Sequence, residues 1–186
     1  MPRCLRCGAE IKEGNYCSHC IVEILKKMAG KEFKDKGRQF EWKVYEFIEK
    51  ILKELRIYDK LIILPNYDIK GFSGGNYKVD IAVLDRSQNV GVLIECATIG
   101  GKHPLQYFDK MARDYTKLSD ILYYWRNKMP KLEALEVVDR PPYEQESPKV
   151  DYQKLFHIIN ARYVVFDENG RSNIREVFER LIPWVF

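Results

Sequence analysis

Two acids stand where acids are costly. Asp80 interrupts the apolar run Val79-Asp80-Ile81-Ala82-Val83-Leu84, and Glu95 interrupts Val92-Leu93-Ile94-Glu95-Cys96-Ala97. A buried carboxylate without a partner costs several kcal/mol, so each needs a cation, a proton or water. The runs are joined by a short connection, which makes the two acids neighbours in a sheet. Neighbouring carboxylates repel, and a divalent cation between them removes the repulsion; oxygen ligands suit Mg²⁺ or Mn²⁺. Spacing alone leaves two other solutions open: a core Lys or Arg beside one acid, or a strand end in water.

The second constellation is CLRCGAEIKEGNYCSHC, with Cys4, Cys7, Cys17 and Cys20. Two CxxC pairs let four thiolates converge on a tetrahedral zinc ion, and Gly8 relieves the turn after the first pair. So short a segment cannot bury a core, so the ion must supply its folding energy, roughly 10–16 kcal/mol in small zinc peptides. Two disulfides would need an oxidising compartment, and a redox motif would use one pair. His19, between ligand cysteines, reads as a bystander. The fifth cysteine, Cys96, lies in an apolar run and reads as core packing.

The elements that must position these groups follow from periodicity. Residues 21–34 read as a linker helix broken at Gly30, and 35–56 as an amphipathic helix with Phe40, Val44, Phe47, Ile48, Ile51, Leu52 and Leu55 at helical spacing. KLIIL, 60–64, reads as a strand ended by Pro65. KGFSGGN, 70–76, is a glycine-rich turn without the GK[ST] of a phosphate loop. The two acid-bearing runs are apolar on both faces, which predicts central strands covered on each side. Residues 105–128 read as a second amphipathic helix, 131–150 as mostly loop, 161–167 as a strand, and the last helix begins with Ser172 as N-cap. The expected fold is α/β, with a mixed central sheet flanked by helices. Three parts are expected: a ribbon over 1–22, a linker helix over 23–34 and an α/β domain over 35–186.

Composition narrows the function classes. The chain has 186 residues, 46% hydrophobic and 31% charged, enough for one cored domain and a small appendage. A net charge of +4 permits a polyanionic partner without demanding one. No apolar run is long enough to span a membrane, so a cytoplasmic protein is expected. Abundant Lys, Glu and Ile point towards a hot habitat, such as that of a thermophilic archaeon or its virus.

Taken together, these features resemble the PD-(D/E)xK nuclease superfamily, whose restriction-endonuclease-like and resolvase-like members share an αβββαβ core. Its first helix often reads KGxxxE, matched here by Lys36, Gly37 and Glu41; its hairpin carries an Asp and then a Glu, matched by Asp80 and Glu95. The match spans about residues 35–126. The N-terminal stretch over 3–20 resembles the short zinc ribbons that begin many prokaryotic proteins. The resemblance implies a nuclease that cuts phosphodiester bonds, DNA before RNA. Asp80 and Glu95 would hold Mg²⁺ or Mn²⁺, Glu41 would assist, and the zinc would be structural. A homodimer would suit an enzyme that cuts two strands.

The pattern breaks at Ala97, where the superfamily places a lysine two residues after the Glu. Residues two apart on a strand share a face, so that amine would stand beside Glu95 and the attacking water. The candidates to replace it are Lys102 first, then Lys78 and Lys110, with His103 as another base and Gln106 as a polar neighbour of the metal. If none does, the domain binds nucleic acid without cutting it. A third reading is a protein adaptor working through the ribbon. On the second helix, Lys110, Arg113, Lys117, Arg126 and Lys128 could meet phosphates, while Phe108, Leu118, Leu122 and Trp125 read as core and Asp109, Asp114 and Asp120 dilute the charge.

Overall fold

The computed structural model describes Glu10 and residues 36–86, 89–98, 104–141 and 150–185. The chain divides into two compact units, Met1–Arg38 and Gln39–Phe186, and nearly all described residues belong to the second. The four zinc-spaced cysteines, the linker helix, Lys102 and His103 lie outside the described residues.

In chain order the elements are α1 (Lys36–Glu54), β1 (Leu61–Lys70), β2 (Asn76–Asp85), β3 (Val90–Ala97), α2 (Pro104–Trp125), β4 (Lys131–Val138), α3 (Tyr152–Ile158), β5 (Ala161–Val165) and α4 (Glu168–Val185). The expected αβββαβ order is present, with an additional strand and short helix between α2 and β5. The sheet order is β1-β2-β3-β4-β5. The first three strands are antiparallel, and β3, β4 and β5 are parallel, which is the mixed sheet that the sequence predicts. β3 lies in the middle, and all eight of its residues are buried, as its two-faced apolar sequence requires.

The two faces are covered by different helices. Tyr107, Met111, Leu118 and Ile121 of α2, with Tyr152 and Phe156 of α3, pack on Ala82, Leu84, Leu93, Ala134, Val138 and Tyr163. By alternation, Ile81, Val83, Val92, Ile94, Leu135 and Val137 face the other way. There α1 and α4 meet, through Arg175 Nη1 on Glu54 Oε2 at 2.6 Å and Arg171 over the Phe47 ring.

Three sequence expectations are corrected. Pro65 does not end β1, which runs on to Lys70. As the outermost strand it tolerates the missing N–H, and Asn66 takes a φ of 51° to keep the strand in register. Residues 131–138 are a strand, not loop: Pro130 and Pro141 bound the apolar run LEALEVV rather than interrupting it. The last helix begins at Glu168, and its N-cap is Asp167, whose Oδ1 accepts from Gly170 N at 2.8 Å. Ser172 instead bonds back to the Glu168 carbonyl.

At Gly170 that cap brings the helix against β5, and a methyl group would run into the Val165 carbonyl oxygen. Gly170→Ala should therefore cost about 2 kcal/mol or more and lower the melting temperature by roughly 4–8 °C, as read by calorimetry. An unchanged melting temperature would contradict this packing.

Candidate functional site

The register sets up a row of polar groups across the α2-covered face. Ile81 pairs with Ile94, and one step further on each strand come Asp80 and Glu95. Glu95 in turn lies beside Glu136 of β4, and Glu136 beside Tyr163 of β5. Paired residues on neighbouring strands point to the same side, so Asp80, Glu95, Glu136 and Tyr163 form one line under α2. Asp80 is partly exposed, whereas Glu95 and Glu136 are both 0% exposed.

The line stands where the hairpin opens. Beyond Ile81–Ile94 the β2–β3 ladder ends, and the Asp80 carboxylate accepts the Cys96 N–H at 2.8 Å. This bond fixes the direction of the Asp80 side chain. On the outer neighbour, left-handed Asn66 sits between the pairs Pro65–Ile81 and Tyr67–Val79, opposite Asp80. Strained backbone of this kind concentrates at functional sites.

Two cations reach down from α2. Lys117 Nζ lies 2.5 Å from Glu95 Oε2 and donates to the Lys78 carbonyl at 3.0 Å, so it bridges the two splayed strands. Lys110 Nζ lies 2.5 Å from Asp114 Oδ2, one turn along the same helix. Asp114, only 4% exposed, is thus part of the buried site rather than of a solvated face. Among the described residues neither oxygen of Glu95 nor of Glu136 has a partner with hydrogen-bond geometry; Lys117 touches Glu95 by distance alone.

Electrostatics follow from this layout. Burial first, then Asp80, push the Glu95 carboxyl up to about 8, and Lys117 only partly offsets them. The short contact argues for an ion pair and the raised value for a neutral acid. Burial and Asp80 outweigh one partly exposed ammonium, so the raised direction stands. Glu136 is driven well above its usual range by burial and by Asp114, with Lys110 opposing. Burial alone would lower Lys110, yet Asp114, Glu136 and Asp80 raise it overall. Four carboxyls, of Asp80, Glu95, Asp114 and Glu136, thus meet two ammoniums, of Lys110 and Lys117, leaving two negative charges in excess when all are ionised. Either two protons or one divalent cation removes them.

The donor set suits a hard cation: neighbouring carboxylates, one with buried oxygens that lack hydrogen bonds. Among the described residues no group of three or more His, Cys, Asp or Glu is arranged to hold a metal ion. Mg²⁺, however, commonly takes one or two carboxylates and keeps waters in its other positions, which Asp80 and Glu95 can satisfy.

The remaining candidates fall in different places. Glu41, half-buried on α1, is felt electrostatically at the Cys96 thiol, which burial, Asp80, Glu136, Glu41 and Glu95 together push far up. An unreactive, packed Cys96 is consistent with that. Lys78 offers its carbonyl, and its side chain is exposed; Gln106 and Phe108 are exposed as well, so Phe108 is not core. Glu136, the contact of Lys117 with Glu95 and the buried role of Asp114 were not foreseen. Their signals were an acid inside the apolar run Leu132–Val138, and the spacing 110, 114, 117, which continues the buried stripe of Tyr107, Met111, Leu118 and Ile121.

The raised Glu95 carboxyl makes stability depend on pH. Its folded value, about 8, lies above the ordinary 4.5, so between them the folded chain holds a proton that the unfolded chain has lost. This contribution is full below about 4.5 and declines as pH rises to about 8, by on the order of a few kcal/mol. Glu95→Gln should flatten that decline in metal-free denaturation curves; an equal slope in both proteins would contradict the assignment.

No family model matches the chain, and no curated protein matches it. Among solved structures, the small subunit of the heterodimeric restriction endonuclease R.BspD6I is 14% identical, over 90% of this chain and 88% of its own, with a TM-score of 0.44. An XisH family protein from Nostoc punctiforme is 13% identical over 67% of this chain and 94% of its own, with a TM-score of 0.40. An fdxN element excision controlling factor protein from Anabaena variabilis is 16% identical over 68% and 92%, with a TM-score of 0.42. Likenesses this distant carry no activity across, and the chain's own element order and site residues remain the basis for reading its chemistry.

Proposed function

We propose that the protein is a metal-dependent nuclease hydrolysing phosphodiester bonds, in DNA before RNA. The observation that supports this best is the excess of two negative charges along the Asp80–Glu95–Glu136 line, beside a lysine. Asp80 and Glu95 would hold Mg²⁺ or Mn²⁺, with Glu41 assisting from α1. Such an ion supplies Lewis-acid stabilisation to the charge that develops on a phosphate under attack.

The other roles belong to the chain itself. Asp80 is oriented by the Cys96 N–H, so one of its oxygens stays committed to the backbone while the other would bind the ion. Lys117 stands beside Glu95, on the side where an amine at position 97 would have stood, and is held there by the Lys78 carbonyl. An ammonium there can stabilise negative charge on the phosphate or orient the attacking water. We assign it the role of the displaced lysine, alongside Lys102. Glu136, with the Lys110–Asp114 pair behind it, would line the floor of the site. Zinc on Cys4, Cys7, Cys17 and Cys20 would be structural.

One observation favours a second reading. Lys117 already lies within ion-pair distance of Glu95, and a lysine that merely neutralises the acid, together with Ala97, describes a nuclease fold that binds nucleic acid without cutting.

Plasmid and branched DNA incubated with Mg²⁺, Mn²⁺ or EDTA separate the two. The nuclease reading predicts metal-dependent cutting that disappears with Asp80→Ala or Glu95→Ala and falls about 10²–10⁴-fold with Lys117→Ala. Salt-sensitive binding without cutting in any metal would establish the second reading. Lys117→Ala with full activity would remove that residue from the mechanism.

A further inference from the structure

The glycine-rich turn between β1 and β2 is built to display an aromatic ring. Phe72 at its tip is 63% exposed and meets Tyr123 of α2, itself 58% exposed, edge to face with ring centroids 4.7 Å apart. Exposed rings on a loose loop would be unremarkable, but this turn is held tightly. Gly71 N donates to the Gly75 carbonyl at 2.9 Å, and Phe72 N to the Asp120 carbonyl at 3.2 Å. The Asp120 carboxylate accepts from Ser73 N at 3.0 Å and from Ser73 Oγ at 2.8 Å. Any Cβ at Gly71 would strike that carboxylate, and Gly74 takes a φ of 85°. Trp125 Nε1 closes the far side on the Lys70 carbonyl at 2.9 Å. Five hydrogen bonds thus fix a turn whose ring, like that of Tyr123, buries little.

The surroundings of the rings are cationic. Lys128 Nζ sits 3.3 Å from the centre of the Tyr124 ring, and the charges of Lys128 and Lys70 both lower the Tyr124 phenol. Arg126 is exposed between them in sequence. Asp120 is occupied by the turn. Rigid aromatic faces beside ammonium groups suit a polyanion whose flat groups can stack.

We infer that Phe72 and Tyr123, flanked by Lys70 and Lys128, form a stacking platform for unpaired bases of a nucleic acid strand. The inference rests on the proposed nuclease site, which it supplies with a substrate class: single strands, or duplexes with frayed, flapped or branched ends. Geometry links the two. The six residues from Lys117 to Tyr123 cover about 9 Å along α2, and the four from Asn76 to Asp80 about 13 Å along β2. A strand stacked on Phe72 therefore has its backbone within a few nucleotides of Asp80 and Glu95. A closed duplex hides its base faces and gains nothing from such rings.

Fluorescence anisotropy in EDTA, with labelled oligothymidine and a closed duplex, tests binding apart from cutting. Phe72→Ala and Tyr123→Ala should each weaken oligothymidine binding roughly tenfold or more and leave duplex binding unchanged. Asp120→Asn, which loosens the turn without removing a ring, should weaken it in the same direction. Equal losses on both nucleic acids would overturn the platform in favour of plain backbone contact. Unchanged affinity for both would overturn it and leave the rings to a protein partner. Normal, ring-dependent binding with no cutting in Mg²⁺ or Mn²⁺ would remove the nuclease reading and keep the platform. A wild-type protein that binds neither nucleic acid at low salt would remove both.

Discussion

The structure turns on a buried electrostatic conflict. Glu95 and Glu136 lie side by side on the two central parallel strands, with no exposure to water and no hydrogen-bond geometry to any described partner. Hydrophobic residues of similar volume would stabilise such a sheet better. The fold retains the acids and aims two lysines and a further acid of α2 at them. It also opens the β2–β3 hairpin where Asp80 joins the line. Each of these features has a stability cost, and all of them converge on one spot, which is the pattern expected where function rather than packing sets the residues.

The sheet also explains how one helix serves two purposes. Along α2, Tyr107, Met111, Leu118 and Ile121 fill the core, while Lys110, Asp114 and Lys117 interleave with them at helical spacing and meet the carboxylates. Towards its C-terminal end the same helix braces the β1–β2 turn through Asp120 and Trp125. A rigid element that touches both the acids and the aromatic turn holds their separation fixed, which loops could not do.

Much of this was legible in the sequence. Strands β2 and β3 could be read because their runs are apolar on both faces, and their acids stood out for that reason. Glu136 obeys the same rule in LEALEVV, but prolines on either side and the acids that follow made the segment look like loop. The missed fact was register: only the pairing of Glu95 with Glu136 makes a row of three acids from two. Lys117 was visible as a basic helical residue, but its contact with Glu95 was not, because nothing in one sequence says which side of a helix with mixed charges faces the sheet. The N-cap at Asp167 and the continuation of β1 through Pro65 depend on contacts made only after folding.

The central claim is that one divalent cation takes the place of protons in this row. Calorimetric titration of the metal-free protein with Mn²⁺ at neutral pH, repeated in buffers of different ionisation enthalpy, counts the protons released. With Glu95 raised to about 8 and burial and Asp114 raising Glu136 as well, binding should release about one to two protons per ion, and the release should shrink in Glu95→Gln. Binding with no proton release, or no binding at all, would mean that the lysines and protons already satisfy the row and that no cation belongs there.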